Sequence, residues 1–164
     1  ELQGKQTDTK TDVETGESSQ TNTVQAIQPS ILTYKDGRLQ ILCRTRNGKI
    51  ATSWSTDRGE TWSPLTLTDL PNNNSGTDAV TLKDGRQVLV YNAVATLPGA
   101  KKGPRTPLNV AISTDGIHWK NVLTLEDSPI SQYSYPSIIQ GSDGRIHIVY
   151  TWRRQRIKYV EIKL

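Results

Sequence analysis

At 164 residues and 18.2 kDa the chain is long enough for one domain with a sizeable core, and short for a repeat fold that closes on itself. Phe and Met are absent, so the large apolar volume must come from Leu, Ile, Val, four Trp and six Tyr, a palette that favours strands. The net charge of +4 is spread along the chain; its one dense basic run, W-R-R-Q-R from Trp152, comes without a nucleic-acid reading motif, and no apolar run approaches the roughly 20 residues of a membrane span, so neither a nucleic-acid partner nor a membrane span is expected.

Residues 1–26 are polar and poor in core formers, and lack the basic start and apolar stretch of a signal peptide. They read as a linker, a tail, part of a preceding structural unit or the interior of a larger protein. From Ile27 onward short apolar runs alternate with turn signals, the pattern of an all-β domain. Three segments share one template: S-I-L-T-Y-K-D-G-R-L-Q-I-L-C-R from Ser30, A-V-T-L-K-D-G-R-Q-V-L-V-Y-N from Ala79, and S-I-I-Q-G-S-D-G-R-I-H-I-V-Y-T from Ser137. Each is an apolar strand, an Asp-Gly turn and a second apolar strand, a strong hairpin signal. Cys43, inside the run I-L-C, reads as a buried strand residue, and a single cysteine excludes an internal disulfide.

Further strands are expected at K-I-A-T-S-W-S, P-L-T-L, L-N-V-A-I-S, N-V-L-T-L and I-K-Y-V-E-I. The first and third run into related turns, S-T-D-R-G-E-T-W at 55–62 and S-T-D-G-I-H-W at 113–119. In the first, the Asp57 carboxylate can accept the turn's backbone N–H groups, Gly59 can supply a positive φ, and Trp62 can fill space between neighbouring sheets. These turns therefore read as staples and not as active sites. The hairpins recur about every 50 to 60 residues, a propeller period, and each unit holds about four strands. The count is two good units and a partial third: all-β, with about three four-stranded antiparallel β-propeller blades.

S-T-D-R-G-E-T-W resembles the Asp-box, S-x-D-x-G-x-T-W, of sialidases and related six-bladed propellers. Residues 27–164 as a whole are similar to the C-terminal half of the sialidase-like (neuraminidase, BNR repeat) superfamily, closest to its bacterial exo-α-sialidase-like branch. The resemblance implies an arginine cluster that holds a substrate carboxylate, and a tyrosine nucleophile paired with a glutamate. Arg44, ahead of the first Asp-box, and Arg105, in P-R-T-P-L-N-V, occupy the places of two of the three family arginines. The tyrosine falls on Tyr135 by hairpin spacing or on Tyr133 by the local Y-S dipeptide. Gln28, in Q-P-S-I-L, stands where the family commonly has the glutamate, and Thr151 and Trp152 follow the last hairpin where a second glutamate is frequent. The first arginine and the acid/base aspartate of the family lie outside this chain.

Asp78, which closes N-N-N-S-G-T-D, reads either as a replacement acid or base or as a turn residue capping its own backbone. Arg46 and Arg153 are candidate sugar or carboxylate contacts beside Arg44 and Arg105, and Gln28 and Tyr133 join them as substrate-binding candidates. Trp54 and Trp152 suit inter-blade packing or sugar stacking. No cofactor is expected; nor is a metal, since His118 and His147 lack ligand spacing. The functional expectation is an exo-acting glycoside hydrolase for sialic acid or another acidic or related sugar. A non-catalytic carbohydrate-binding propeller is the alternative, or a fragment that needs a second half, supplied by a homodimer or by complementary N-terminal blades. By analogy the protein is expected to be secreted or periplasmic.

Overall fold

The computed structural model describes residues 24–97 and 99–164, so most of the polar segment 1–26 lies outside the described residues. Eleven strands follow in chain order: β1 (Ala26–Thr33), β2 (Leu39–Thr45), β3 (Lys49–Ser55), β4 (Thr66–Pro71), β5 (Asp78–Thr81), β6 (Gln87–Tyr91), β7 (Leu108–Ser113), β8 (Lys120–Glu126), β9 (Tyr133–Gln140), β10 (Ile146–Trp152) and β11 (Arg156–Ile162). They form antiparallel meanders β1-β2-β3-β4, β5-β6-β7-β8 and β9-β10-β11. These are the two complete blades and the partial third expected from the sequence. β4 begins two residues later than P-L-T-L suggested, because Ser63 is held by Trp54 through its backbone N–H and its hydroxyl before the ladder resumes.

Each hairpin is built in one way. Tyr34, Leu82 and Gly141 donate to the carbonyls of Arg38, Arg86 and Arg145, and the intervening Gly37, Gly85 and Gly144 lie at φ 88°, 96° and 84°. The Asp-Gly pair thus sits in a three-residue loop with a left-handed glycine. The aspartate accepts the backbone N–H two residues on, in all three copies.

The three sheets stack face to face. Leu32, Leu42, Ile50 and Leu70 of the first meet Ala79, Leu89, Tyr91 and Ala111 of the second. The opposite face of the second sheet, with Val88, Val90, Leu108 and Val110, meets Tyr133, Ile138, Ile146, Ile148 and Tyr150 of the third. All of β6 is buried because both its faces are covered. Burial of the Leu, Ile and Val side chains among them contributes roughly 1.5–3 kcal/mol each. Cys43 is buried as expected, and burial pushes its thiol up to about 11. Among the described residues the outer faces of the first and third sheets expose Ile31, Ile139, Val149, Ile157 and Tyr159.

Both Asp-box turns close as staples. The Asp57 carboxylate accepts from Ser55 Oγ (2.8 Å), Thr61 N (2.9 Å) and Thr61 Oγ1 (2.6 Å), while Ser55 Oγ also accepts from Gly59 N. In the second copy Asp115 accepts from Ser113, Ile117 and His118, whose ring nitrogen replaces the threonine hydroxyl. Trp119 packs against the core between the first two sheets, whereas Trp62 stays half-exposed. The second turn also locks the blades together. Gly116 (φ 76°) lies against Tyr34, Gln40 and Trp54 of the first blade, and Gln40 Nε2 donates to its carbonyl at 2.9 Å.

A Cβ at Gly116 would overlap the Tyr34 hydroxyl and Gln40 Oε1, while one at Gly59 meets Leu39 at an ordinary 3.4 Å. Both substitutions strain a left-handed backbone, but only the first also overpacks, so Gly116→Ala should cost about 1–3 kcal/mol more than Gly59→Ala in urea unfolding. The Thr61 and Ser55 hydrogen bonds hold the Asp57 carboxyl down at about 2. A depressed carboxyl stabilises the fold above the unfolded value of roughly 4 and loses that contribution as pH falls through the folded value. Asp57→Asn should therefore lower stability at pH 6 and flatten its decline between about pH 4 and pH 2, as read by thermal unfolding across pH.

Candidate functional site

The pocket forms where β1, β5 and β9 run side by side at the end opposite the Asp-Gly hairpins. Counting back from each hairpin aspartate (Asp36, Asp84, Asp143), the eighth preceding residue is Gln28, Gly76 and Tyr135. Gln28 and Tyr135 share an unusual backbone: each precedes a proline and lies in the left-handed region, at φ 55° and 54°. Each also sits where the strand register slips, between Ile27 and Pro29 on β1, and opposite Val149 to Thr151 on β9. A left-handed residue before proline costs on the order of 1–3 kcal/mol, and such bulges re-aim side chains. Here they bring Gln28 and Tyr135 together beside Gly76.

Two arginines meet Tyr135. Arg105, in the segment leading into β7, donates from Nη1 to Ser134 Oγ (3.1 Å) and from Nη2 to the Tyr135 hydroxyl (3.3 Å), with its guanidinium 4.9 Å from the tyrosine ring centre. Arg44, at the end of β2 and paired with Ile27, reaches the same hydroxyl from the first blade. The hydrogen bond from Arg105, then the charges of Arg105 and Arg44, hold the Tyr135 phenol below the ordinary tyrosine range. Arg44 Nε is buried without a hydrogen-bond partner. Beside it lies a cavity of about 260 Å³ lined by Gln25, Ala26, Ile27, Arg44, Arg46 and Asn74.

Charge distinguishes the two ends of the blades. Arg38, Arg86 and Arg145, at the hairpins, each pair with an aspartate two residues earlier. Arg44, Arg46 and Arg105 form no ion pair among the described residues. No carboxylate among the described residues neutralises these three guanidinium groups, and arginine binds anions through paired N–H donors.

Other sequence candidates take structural places. Asp78 is a clasp: Oδ1 accepts from Ser30 Oγ (2.8 Å) of β1 and from its own strand at Ala79 N (2.9 Å), and Oδ2 accepts from Ile138 N (2.9 Å) of β9. Of the two readings of Asp78, the backbone-capping one describes this geometry, extended across three blades. Tyr133, two residues from Tyr135, is fully buried in the core, and its hydroxyl accepts from Arg153 Nε and Nη2 at 3.3 Å. Arg153 also donates to Ser128 and lies over the Trp152 ring, so it anchors a turn. Trp152 lies between Arg153 and Arg156 and packs against the core, and Trp54 tilts against Tyr34 at 5.1 Å. Arg46 is exposed on the rim of the cavity.

Sequence reasoning singled out the stretch N-N-N-S-G-T-D for Asp78, but gave no separate role to Gly76 or the asparagines and none to Ser134. Asn72 accepts from Thr45 N and Asn74 N, and Asn73 donates to Pro104 O at 2.5 Å, so this loop ties the end of β2 to the segment carrying Arg105. Gly76 was findable, since it occupies the same hairpin offset as Gln28 and Tyr135. Among the described residues no group of three His, Cys, Asp or Glu side chains gathers to hold a metal, and no helix is long and apolar enough to cross a membrane.

With that geometry established, residues 5–148 match the family model of the BNR repeat-like domain. The chain belongs to that family. This BNR repeat-like chain is a member of the sialidase-like superfamily, with the β-propeller blades of that fold. It is 26% identical over 151 residues to the anhydrosialidase of Macrobdella decora, covering 82% of this chain and 20% of that protein. Its fold superposes on the intramolecular trans-sialidase from Ruminococcus gnavus with a TM-score of 0.66 at 24% identity, covering 88% of this chain and 34% of that one. The NanB sialidase from Streptococcus pneumoniae gives a TM-score of 0.62 at 18% identity, over 88% of this chain and 24% of that one. The chain thus spans between a fifth and about a third of these proteins, a piece of the sialidase-like fold.

The clasp makes a measurable claim. Asp78→Ala leaves the buried Ile138 N–H and the Ser30 hydroxyl without their acceptor, and should cost about 2–4 kcal/mol in chemical denaturation. Asp78→Asn keeps one acceptor oxygen and should cost about half as much.

Proposed function

We propose that this chain is the arginine- and tyrosine-bearing part of a sialidase-like glycoside hydrolase acting on sialic acid or another acidic sugar. The observation that carries the reading is the convergence of Arg44 and Arg105, neither paired with a carboxylate among the described residues, on the exposed Tyr135 hydroxyl. The two guanidinium groups hold the substrate carboxylate through charge-assisted hydrogen bonds, and Tyr135 stands beside the anomeric carbon as nucleophile or transition-state stabiliser. A tyrosine suits this role because a neutral phenol meets an anionic sugar without charge repulsion until its proton leaves. Gln28, beside Tyr135, is an amide and takes no proton. The positive field of Arg44 and Arg105, which holds the phenol below its ordinary range, eases loss of its proton, and water is then the acceptor in place of a carboxylate. The first arginine and the acid/base aspartate belong to blades outside this chain, supplied by the same longer polypeptide, a complementary half or a second copy. Secretion, or a periplasmic location, fits a substrate on extracellular glycans.

A second reading is favoured by Gln28 and Thr151, which stand where glutamates are expected: a carbohydrate-binding propeller that holds the acidic sugar without turnover. Calorimetric titration with N-acetylneuraminic acid tests the binding site shared by both. Arg105→Ala should weaken binding at least about tenfold, in line with roughly 1.5–3 kcal/mol for a hydrogen bond to a charged group, while the rim variant Arg46→Ala should weaken it less. An aryl sialoside assay in the assembled propeller then separates the two readings. Hydrolysis that is lost in Tyr135→Phe and raised in Gln28→Glu supports the enzyme, and saturable binding with no hydrolysis supports the binding module. Binding unaffected by Arg44→Ala and Arg105→Ala would end both.

A further inference from the structure

Gly76 occupies the one place on the middle blade that corresponds to Gln28 and Tyr135 on its neighbours, yet it differs from them in two ways. Its backbone is outside the left-handed region that both neighbours adopt, so an L-residue would fit the chain path there. What a side chain would meet is a tight fit. A Cβ at this position would lie 3.1 Å from Tyr135 Cδ1, 3.5 Å from Tyr135 Cε1 and 3.3 Å from Gln28 Oε1. Tyr135 and Gln28, whose strands come from two different blades, both lie against the bare backbone that the middle blade presents at Gly76. Gly76 is buried, and the loop holding it is fixed at both ends, by Asn72 and Asn73 on one side and by the Asp78 clasp on the other. These contacts restrain the floor from sinking to make room.

We infer that Gly76 is a positioning residue for the pocket: its missing side chain lets the Tyr135 ring settle against the middle blade, with Gln28 alongside, at the depth where Arg105 and Arg44 reach its hydroxyl. The Arg105 contact leaves little slack, since Nη2 is already 3.3 Å from the phenol oxygen. A tilt of the ring by a few tenths of an ångström at Cδ1 is multiplied at the hydroxyl, further along the lever, and breaks that bond. The inference rests on the proposed reading only in its ligand arm, where the acidic sugar sits on the same two arginines.

The test uses Gly76→Ala in the chain, with spectrophotometric titration of the phenols and calorimetry with N-acetylneuraminic acid. In the parent, one tyrosine should ionise below the others and disappear from the titration in Tyr135→Phe. In Gly76→Ala that early phase should move up towards the ordinary value near 10, and sugar affinity should fall at least about tenfold, with far-UV dichroism unchanged. If Gly76→Ala does not fold, the double variant Gly76→Ala with Gln28→Gly serves instead: it relieves the Gln28 contact and a left-handed backbone, keeps the added Cβ against the Tyr135 ring, and should still shift the early phase upward. A folded variant that leaves the early phase where it is in the parent overturns the inference, as does a parent without an early phase assignable to Tyr135. A parent that fails to bind the sugar defeats the functional proposal, while the phenol titration still decides the role of Gly76.

Discussion

The arrangement of the blades depends on one carboxylate. Asp78 stands at the head of β5 and takes hydrogen bonds from the strands on either side, a hydroxyl of β1 and a backbone N–H of β9, as well as from its own strand. β-sheets that stack face to face are held by non-directional burial, which sets their separation but tolerates sliding. A three-way polar contact at the inner edge removes that freedom, because donor and acceptor must meet within a few tenths of an ångström. Gln28 and Gly76 lie two residues before Ser30 and Asp78, and Tyr135 three before Ile138, so the site takes its alignment from this contact.

Packing and polarity are divided between the ends of the blades. At the hairpin end, arginines fold back on the aspartates of their own turns, and the Asp-box turns satisfy themselves with Ser, Thr and His donors. The second of these turns also reaches across to the first blade through Gln40 and Gly116, which fixes the blades at their periphery as Asp78 does near the centre. At the opposite end the loops are tied by asparagine amides, neutral groups, and among the described residues no carboxylate pairs with Arg44 or Arg105. An excess of positive charge facing a pocket focuses the field on whatever anion enters.

Much of the fold could be read from the sequence because its signals are local. The three Asp-Gly hairpins, the alternation of the strands and the two Asp-box turns each declare themselves within a dozen residues, and all formed where expected. The arginines and Tyr135 were legible only through family resemblance and hairpin spacing. What favoured Tyr135 over Tyr133 is a bulge: two tyrosines at an interval of two should face the same side of a strand, but the left-handed step at Tyr135 sends its ring to the pocket while Tyr133 goes to the core. That step has no local signal, since the following proline argues against it. Asp78 looked equally like chemistry and like a cap, because its partners, Ser30 and Ile138, are 48 and 60 residues away. Gly76 was passed over because glycine in a loop ordinarily speaks of backbone freedom, and here it speaks of room.

The shared offset of Gln28, Gly76 and Tyr135 also bears on how such a scaffold can change its trade. Each blade offers the site one berth at the same offset from its hairpin, with a left-handed backbone in the first and third blades and not in the second. An amide, a vacancy and a phenol already fill three such berths in this chain. Exchange of a single occupant alters the chemistry presented at the centre while hairpins, staples and clasp carry on unchanged, so the architecture keeps its reactive inventory in replaceable fittings and its stability in the frame.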